Sequence, residues 1–239
     1  MNVLSWATRS VGEKGLLQTV KIVGNFGADL LFDWRYGTDT MRWIPRDNLG
    51  AESENLAHSC QYKATKTRPF LQLLQQLELP RGCNFVDIGA GKGRVLLMAA
   101  QYGFRKVVGI EFSAPLCELA RKNVAQFTRK VRLPSPIEVV EADATQHEFL
   151  PDDRVFFLFN PFDGWILERV LANLRRSLAQ HPRAVWLIYN DPAHADVVRR
   201  SRVFQAESAR VVGGTHFQVF TNQALSQWTP CSASPPART

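Results

Sequence analysis

From about residue 84 the apolar positions follow two alternating rhythms. Short apolar runs at Asn84 to Ile88, Lys106 to Glu111, Ile137 to Glu141, Val155 to Asn160 and Ala184 to Tyr189 read as strands. Longer segments with apolar residues three and four apart predict helices over Arg94 to Tyr102, Ala114 to about Phe127, about Trp165 to Gln180, and Ala193 to Arg200. In the second of these Leu116, Ala120, Val124 and Phe127 share a face, and in the third Leu167, Val170, Leu171, Leu174 and Leu178 form one stripe. Strands alternating with helices predict an α/β fold, a mostly parallel sheet covered on both faces. The unbroken run Val155-Phe156-Phe157-Leu158-Phe159 suits a strand buried on both sides. Val203 to Ala206 and Phe217 to Phe220, with Gly213-Gly214 between them, predict an antiparallel pair at the end.

The first sixty residues have a different texture. Leu16, Leu17, Val20, Val23, Leu30 and Leu31 recur at loosely helical spacing between Glu13 and Trp34, broken by Gly24 and Gly27, which predicts one or two short helices. Such helices either cap the core or lie on a membrane surface with Lys14 and Lys21 outward. Tyr36 to Thr40 and the polar stretch Asp47 to Glu54 read as loop. Thr67-Arg68-Pro69 then looks like a helix start, with Phe70, Leu73, Leu74 and Leu77 on one face. The chain accordingly divides into an extension over 1–59 that serves as cap or lid, an α/β domain over 60–225, and a disordered tail over 226–239 rich in Ser and Pro.

Composition narrows the class. With 239 residues, 45% apolar and 21% charged, the chain suits one soluble globular domain with appended segments. Cys60, Cys83, Cys117 and Cys231 are scattered, without a CxxC pair or a neighbouring His cluster, so no metal site is expected and a reducing cytoplasm is the default. No window is long and apolar enough to span a bilayer, and no cleavage pattern marks a secretory signal. The net charge of +7 favours an anionic partner or leaves a solvated basic surface, with clusters at Lys63, Lys66 and Arg68 and at Arg129, Lys130 and Arg132.

The chemistry-bearing feature is Phe85-Val86-Asp87-Ile88-Gly89-Ala90-Gly91-Lys92-Gly93-Arg94, a strand, a glycine turn and a helix start. A dinucleotide fingerprint needs GxGxxG, but Arg94 stands where its third glycine belongs and Gly93 comes one place early. A pyrophosphate would also meet Asp87, which is electrostatically poor. No GK[ST] follows a four-residue gap, so this is not a P-loop.

An acid followed by GxGxG after the first strand resembles the class I, Rossmann-like, S-adenosylmethionine-dependent methyltransferases. Glu111 at the second strand's end, Asp143 after the third and Asn160-Pro161-Phe162 after the fourth extend the resemblance over about residues 60 to 222. It implies a seven-stranded sheet with an antiparallel carboxyl-terminal strand, and S-adenosylmethionine as cofactor and partner. It also implies that Gly89, Ala90, Gly91 and Gly93 approach the cofactor's amino-acid moiety and that Asp87 faces its ammonium. Glu111 would accept the ribose hydroxyls beside Phe112, Asp143 the adenine amino group, and the Ala144 amide would meet a ring nitrogen. Tyr62-Lys63-Ala64-Thr65 resembles a Tyr-x-Pro-Thr segment bordering the cofactor carboxylate, with Ala64 in place of the proline, and implies Tyr62 and Thr65 as cofactor contacts.

Asn160-Pro161-Phe162 is similar to the (Asn/Asp/Ser)-Pro-Pro-(Tyr/Phe) loop of amino methyltransferases, with one proline fewer. The similarity implies an N-methyltransferase in which Asn160 orients the amine and also contacts the cofactor, Pro161 shapes the turn and Phe162 forms a wall. The acceptor implied is a macromolecule, a lysine or other protein amine; a nucleic-acid base and a small-molecule amine stay open. A lid formed by Trp34, Tyr36 and Trp43 would suit the small molecule. A non-catalytic protein that keeps the fold as a binding scaffold is the alternative of another class.

Overall fold

The structure, a computed structural model, describes Gly12, residues 15–42 and residues 63–223. Tyr62, Trp43, Lys14, the loop 47–54, Cys60, Cys231 and the tail from residue 226 lie outside the described residues. The elements in chain order are α1 (Leu16–Tyr36), α2 (Thr67–Gln76), β1 (Asn84–Ile88), α3 (Arg94–Ala99), β2 (Lys106–Glu111), α4 (Ala114–Lys130) and β3 (Ile137–Glu141). They continue with β4 (Asp153–Leu158), α5 (Gly164–Gln180), β5 (Trp186–Asn190), α6 (Ala195–Arg200), β6 (Ala206–Val212) and β7 (Thr215–Thr221).

The strands form one seven-stranded sheet in the order β3-β2-β1-β4-β5-β7-β6. β1 to β5 are parallel, and β7 runs antiparallel to both β5 and β6. Chain order reverses between β1 and β4, the switch point where loops diverge and leave a crevice at the carboxyl edge. Alternation along each strand sends Phe85, Val107, Val155, Phe157 and Ile188 to the face covered by α1 to α4, where they pack with Phe70, Leu96 and Phe127. Val86, Ile88, Val108, Phe156 and Leu158 meet Leu167, Val170 and Val198 of α5 and α6 on the other face. Phe70, Phe85, Phe104 and Phe157 stack edge to face or tilted along the first of these layers.

Three expectations need correction. Leu16–Tyr36 is one continuous 21-residue helix, unbroken at Gly24 and Gly27, rather than one or two short ones. A mid-helix glycine costs about 1 kcal/mol, and polar anchors next to these positions offset it: Asn25 donates to the Gly213 carbonyl and Asp29 accepts from Thr67. β4 begins two residues early, at Asp153, and ends at Leu158, because Asn160 leaves extended geometry at φ 45°. The penultimate strand is Ala206–Val212 rather than 203–206. Its Glu207-Ser208-Ala209-Arg210 centre is that of an edge strand, polar and alternating, so an apolar scan passes over it.

Candidate active site

In-register pairing brings the carboxyl ends of β1, β2 and β4 to one level, with Ile88 opposite Ile110 and Leu158. The Gly89 and Ala90 amides both donate to the Ile110 carbonyl at 2.9 and 3.0 Å, carrying the ladder into the glycine loop. Gly89 has φ +81°, and a Cβ placed on it would lie 2.2 Å from Pro161 Cβ. The bare face of this glycine is therefore filled by the proline that follows β4. The two loops at the switch point touch, which joins the glycine loop to Asn160-Pro161-Phe162. Gly109 answers a separate question: its missing Cβ admits Leu96 and Ala90, at 2.6 and 2.8 Å from the ideal position. Close helix–sheet packing, the duty of a fingerprint's third glycine, is met here from the neighbouring strand.

Gly89→Ala is accordingly expected to destabilise the protein by about 2–4 kcal/mol, the clash and the left-handed backbone adding. Gly103→Ala is the control, because φ there is +95° but the nearest neighbour stands 4.0 Å away. Thermal melts of the two variants separate backbone strain from the proline contact.

Beneath the loop sit two buried acids. Asp87 is 3% exposed and Glu111 is 5% exposed. Glu111 Oε2 accepts the Gly91 amide at 2.8 Å and Oε1 the Ser113 amide at 3.0 Å, so this carboxylate ties the glycine loop to the end of β2. Burial raises its pKa, and the amides that donate to it oppose the shift. Burial pushes the Asp87 carboxyl well above the usual range, and the neighbouring Glu111 pushes the same way. No described residue pairs Asp87 with a cation. Two desolvated carboxyls at a backbone-lined edge suit a ligand carrying positive charge and hydroxyl donors, and would repel a pyrophosphate.

Further along the edge, Asp143 Oδ1 accepts the Thr145 amide at 2.8 Å and thereby shapes the turn that contains Ala144. Residues 85–181 match the family described as a methyltransferase domain. The match spans less than half of the chain and makes this segment similar to a methyltransferase domain. No curated protein matches the chain. Among solved structures, it is similar to a SAM-dependent methyltransferase from Aquifex aeolicus, at 15% identity and a TM-score of 0.49, over 63% of this chain and 87% of that one. It is also similar to an RNA methyltransferase from Salinibacter ruber in complex with S-adenosyl-L-homocysteine, at 18% identity and a TM-score of 0.47, over 66% of this chain and 93% of that one.

A methyltransferase domain of this kind would take S-adenosylmethionine, and the acid pair fits that cationic cofactor. At the end of β4 the Asn160 carboxamide is held from three directions. Its Oδ1 accepts the Tyr189 hydroxyl at 2.7 Å and the Ala193 amide at 3.2 Å, while Nδ2 donates to the Asp191 carbonyl at 2.7 Å. Asn160 and Asp191 both sit at left-handed φ, 45° and 44°, and each precedes a proline. Phe162 is half-buried and packs on the layer containing Ile88 and Leu158.

Sequence reasoning missed several residues of this edge. Tyr189 is fully buried, so its register on β5 looks purely structural until its hydroxyl is traced to Asn160. Asn190 is buried on the opposite face of β5, and its Oδ1 has no hydrogen-bond partner among the described residues. Arg94 is the largest omission. Only 2% exposed, it donates through Nε to the Thr65 carbonyl at 2.9 Å, and through Nη2 to Asp29 Oδ1 at 2.8 Å and Thr67 Oγ1 at 2.6 Å. Nη1 reaches Thr40 and lies 3.5 Å from Asp33, and the guanidinium stands 5.0 Å from the Phe32 ring centroid. Thr65 is thus brought beside the glycine loop through its carbonyl. Lys92 is also buried and pairs with Asp39 at 3.2 Å, tying the loop after α1 to the same turn. An Arg directly after GxGxG was the available signal, with acids on an upstream helix as its partners.

Proposed function

We propose that the protein transfers methyl groups to an amine nitrogen carried by a protein, with lysine as the type. The contact of Pro161 with Gly89 carries this reading, because it seats Asn160-Pro161-Phe162 against the loop that holds the donor. When bound, S-adenosylmethionine supplies a methyl on a sulfonium, which a lone pair accepts in line. Asp87 would face the cofactor's ammonium. Glu111, with Phe112 beside it, would accept ribose hydroxyls, and Asp143 and the Ala144 amide would meet the adenine. Thr65, together with Tyr62, would border the carboxylate.

On the acceptor side the protein's task is alignment and removal of water. Asn160 aims the amine: a substrate N–H takes the place of the longer Ala193 contact on Oδ1, while Tyr189 holds the carboxamide still. Pro161 fixes the turn, and Phe162 presents an aromatic wall to the developing cation. Asn160 is only half-buried, so the flexible stem of a lysine reaches it from outside, whereas a base would first have to be unstacked.

Purified protein with tritiated S-adenosylmethionine, applied to lysate fractions, tests the acceptor class. Label lost on protease treatment supports the reading. Label lost only on nuclease treatment moves the acceptor to nucleic acid, and label in a small-molecule fraction excludes both polymers. Asn160→Ala is expected to lower turnover by about a hundredfold and Tyr189→Phe by about tenfold, with cofactor affinity by calorimetry unchanged in both. Cofactor binding with no label in any fraction would make the protein a binding scaffold instead.

A further inference from the structure

Helix α1 is amphipathic in the reverse of the usual sense. Its polar residues face the protein: Asn25 donates to Gly213, Asp29 meets Thr67 and Arg94, and Asp33 accepts from Thr38, Thr40 and Met41. Of its large apolar residues, Phe32 packs inward against Tyr36 and Phe127, whereas most of the others face outward. Val20, Val23, Phe26, Leu30, Leu31 and Trp34 are each at least half exposed, Leu30 at 50% and Trp34 at 80%. The positions 16, 20, 23, 27, 30 and 34 repeat at alternating steps of four and three, so they form one continuous stripe along the helix. Isolated exposed leucines are ordinary, but a contiguous stripe running the length of a helix marks a docking surface.

Charge around the stripe identifies what it meets. The acids of α1, Asp29 and Asp33, are both turned inward and engaged by Arg94. Outward on this helix and beside it, the charged side chains named among the described residues are cations. Lys21 and Arg35 are exposed on the helix itself. The Arg68 guanidinium lies 3.7 Å from the position a Cβ would take on Gly24, and Lys130 donates to the Arg35 carbonyl at 3.2 Å. Two copies packed stripe to stripe would bring these cations together with no acid of either helix to pair them, the opposite of the complementary flanks that a helical dimer uses. An anionic lipid surface meets both requirements, hydrocarbon for the stripe and negative headgroups for the rim. No helix among the described residues is long and apolar enough to cross a membrane, and the polar inner face of α1 is committed to the protein.

We propose that α1 is an interfacial anchor that lays its apolar face on an anionic membrane, with Trp34 and Phe26 at headgroup depth and Lys21, Arg35, Arg68 and Lys130 on the phosphates. The inference is independent of which acceptor is methylated.

Co-sedimentation of the full chain with vesicles tests it. Binding is expected to vesicles of equimolar phosphatidylcholine and phosphatidylglycerol, to weaken with added salt, and to be far weaker on phosphatidylcholine alone. The combined variant Val23→Ser, Leu30→Ser, Trp34→Ser is expected to lose roughly a hundredfold in partitioning, with melting midpoint and cofactor affinity unchanged because these side chains point away from the fold. Lys21→Glu with Arg68→Glu leaves the stripe intact and is expected to lose about tenfold or more on the anionic vesicles alone. No binding by the wild type, or equal binding by the combined variant, overturns the proposal. Equal binding to both vesicle types overturns the anionic requirement. A dimer in sedimentation velocity that the combined variant abolishes, without vesicle binding, gives the face to a second copy and equally overturns it.

Discussion

Arg94→Met is expected to destabilise the protein by about 3–5 kcal/mol, the usual result of removing one partner from a buried ionic cluster. The loss is not that of one contact. Asp29 would keep its buried carboxylate with only Thr67 donating to it, and Asp33 would lose the cation 3.5 Å from its oxygen. The Thr65 carbonyl and Thr40 hydroxyl would lose a donor at the same time. At about 2–4 °C per kcal/mol for a chain of this size, the melting midpoint should fall by about 6–20 °C. Adding Asp29→Asn removes the stranded charge, so the double variant should recover part of the loss; simple additivity would show that the two residues do not act as a pair. Hydrogen exchange locates the damage. Amides of α1 and of the 63–67 segment should lose protection first, while the β1, β2 and β4 amides keep theirs.

Asp87→Asn should separate stability from cofactor binding. The Asp87 pKa is raised in the folded protein, so this group contributes most to stability below its unfolded value of about 3.9. That contribution is lost as pH rises through the folded value. At neutral pH the wild type therefore carries a desolvation cost that the amide lacks. The variant should be more stable by about 1–2 kcal/mol there, the advantage shrinking as pH falls. Cofactor affinity runs the other way. A cationic ligand favours the ionised carboxylate, so wild-type affinity should rise with pH through the raised value, with proton release on binding. In the variant affinity should drop by about 10- to 100-fold and lose that pH dependence. Calorimetry in two buffers of different ionisation enthalpy measures the proton directly. A variant that melts lower and binds the cofactor as well as wild type would remove Asp87 from the site.

The parts of the fold legible from sequence were those with one dominant cause. β1, β2 and β4 are short apolar runs ended by acid, Asn or Gly, and α5 carries a stripe at constant helical spacing; for these, local preference and burial agree. The acids and glycines of the edge were legible because backbone approach and charge limit the residue choice there. What stayed hidden depends on partners distant in sequence. The apolar residues of α1 announce a helix but not which way it faces, and the answer comes from Arg94, which is 65 residues beyond Asp29. Asn160 could be picked out from its neighbours in sequence, whereas Tyr189, which holds it, could not be, because a buried tyrosine in an apolar strand reads as packing. Gly89 was expected to make room for a ligand, and in the structure the room is taken by Pro161.

The same 65-residue separation orders events during synthesis. Asp29 and Asp33 leave the ribosome before Arg94, the cation that receives them in the folded protein, has been made. α1 therefore completes its docking only once the glycine turn has been made, and its apolar stripe is available to other surfaces throughout that interval. A fragment beginning at residue 60 would meet the complementary problem, an Arg94 guanidinium built for burial without the carboxylates that receive it. The amino-terminal helix and the cofactor turn are two halves of one folding step.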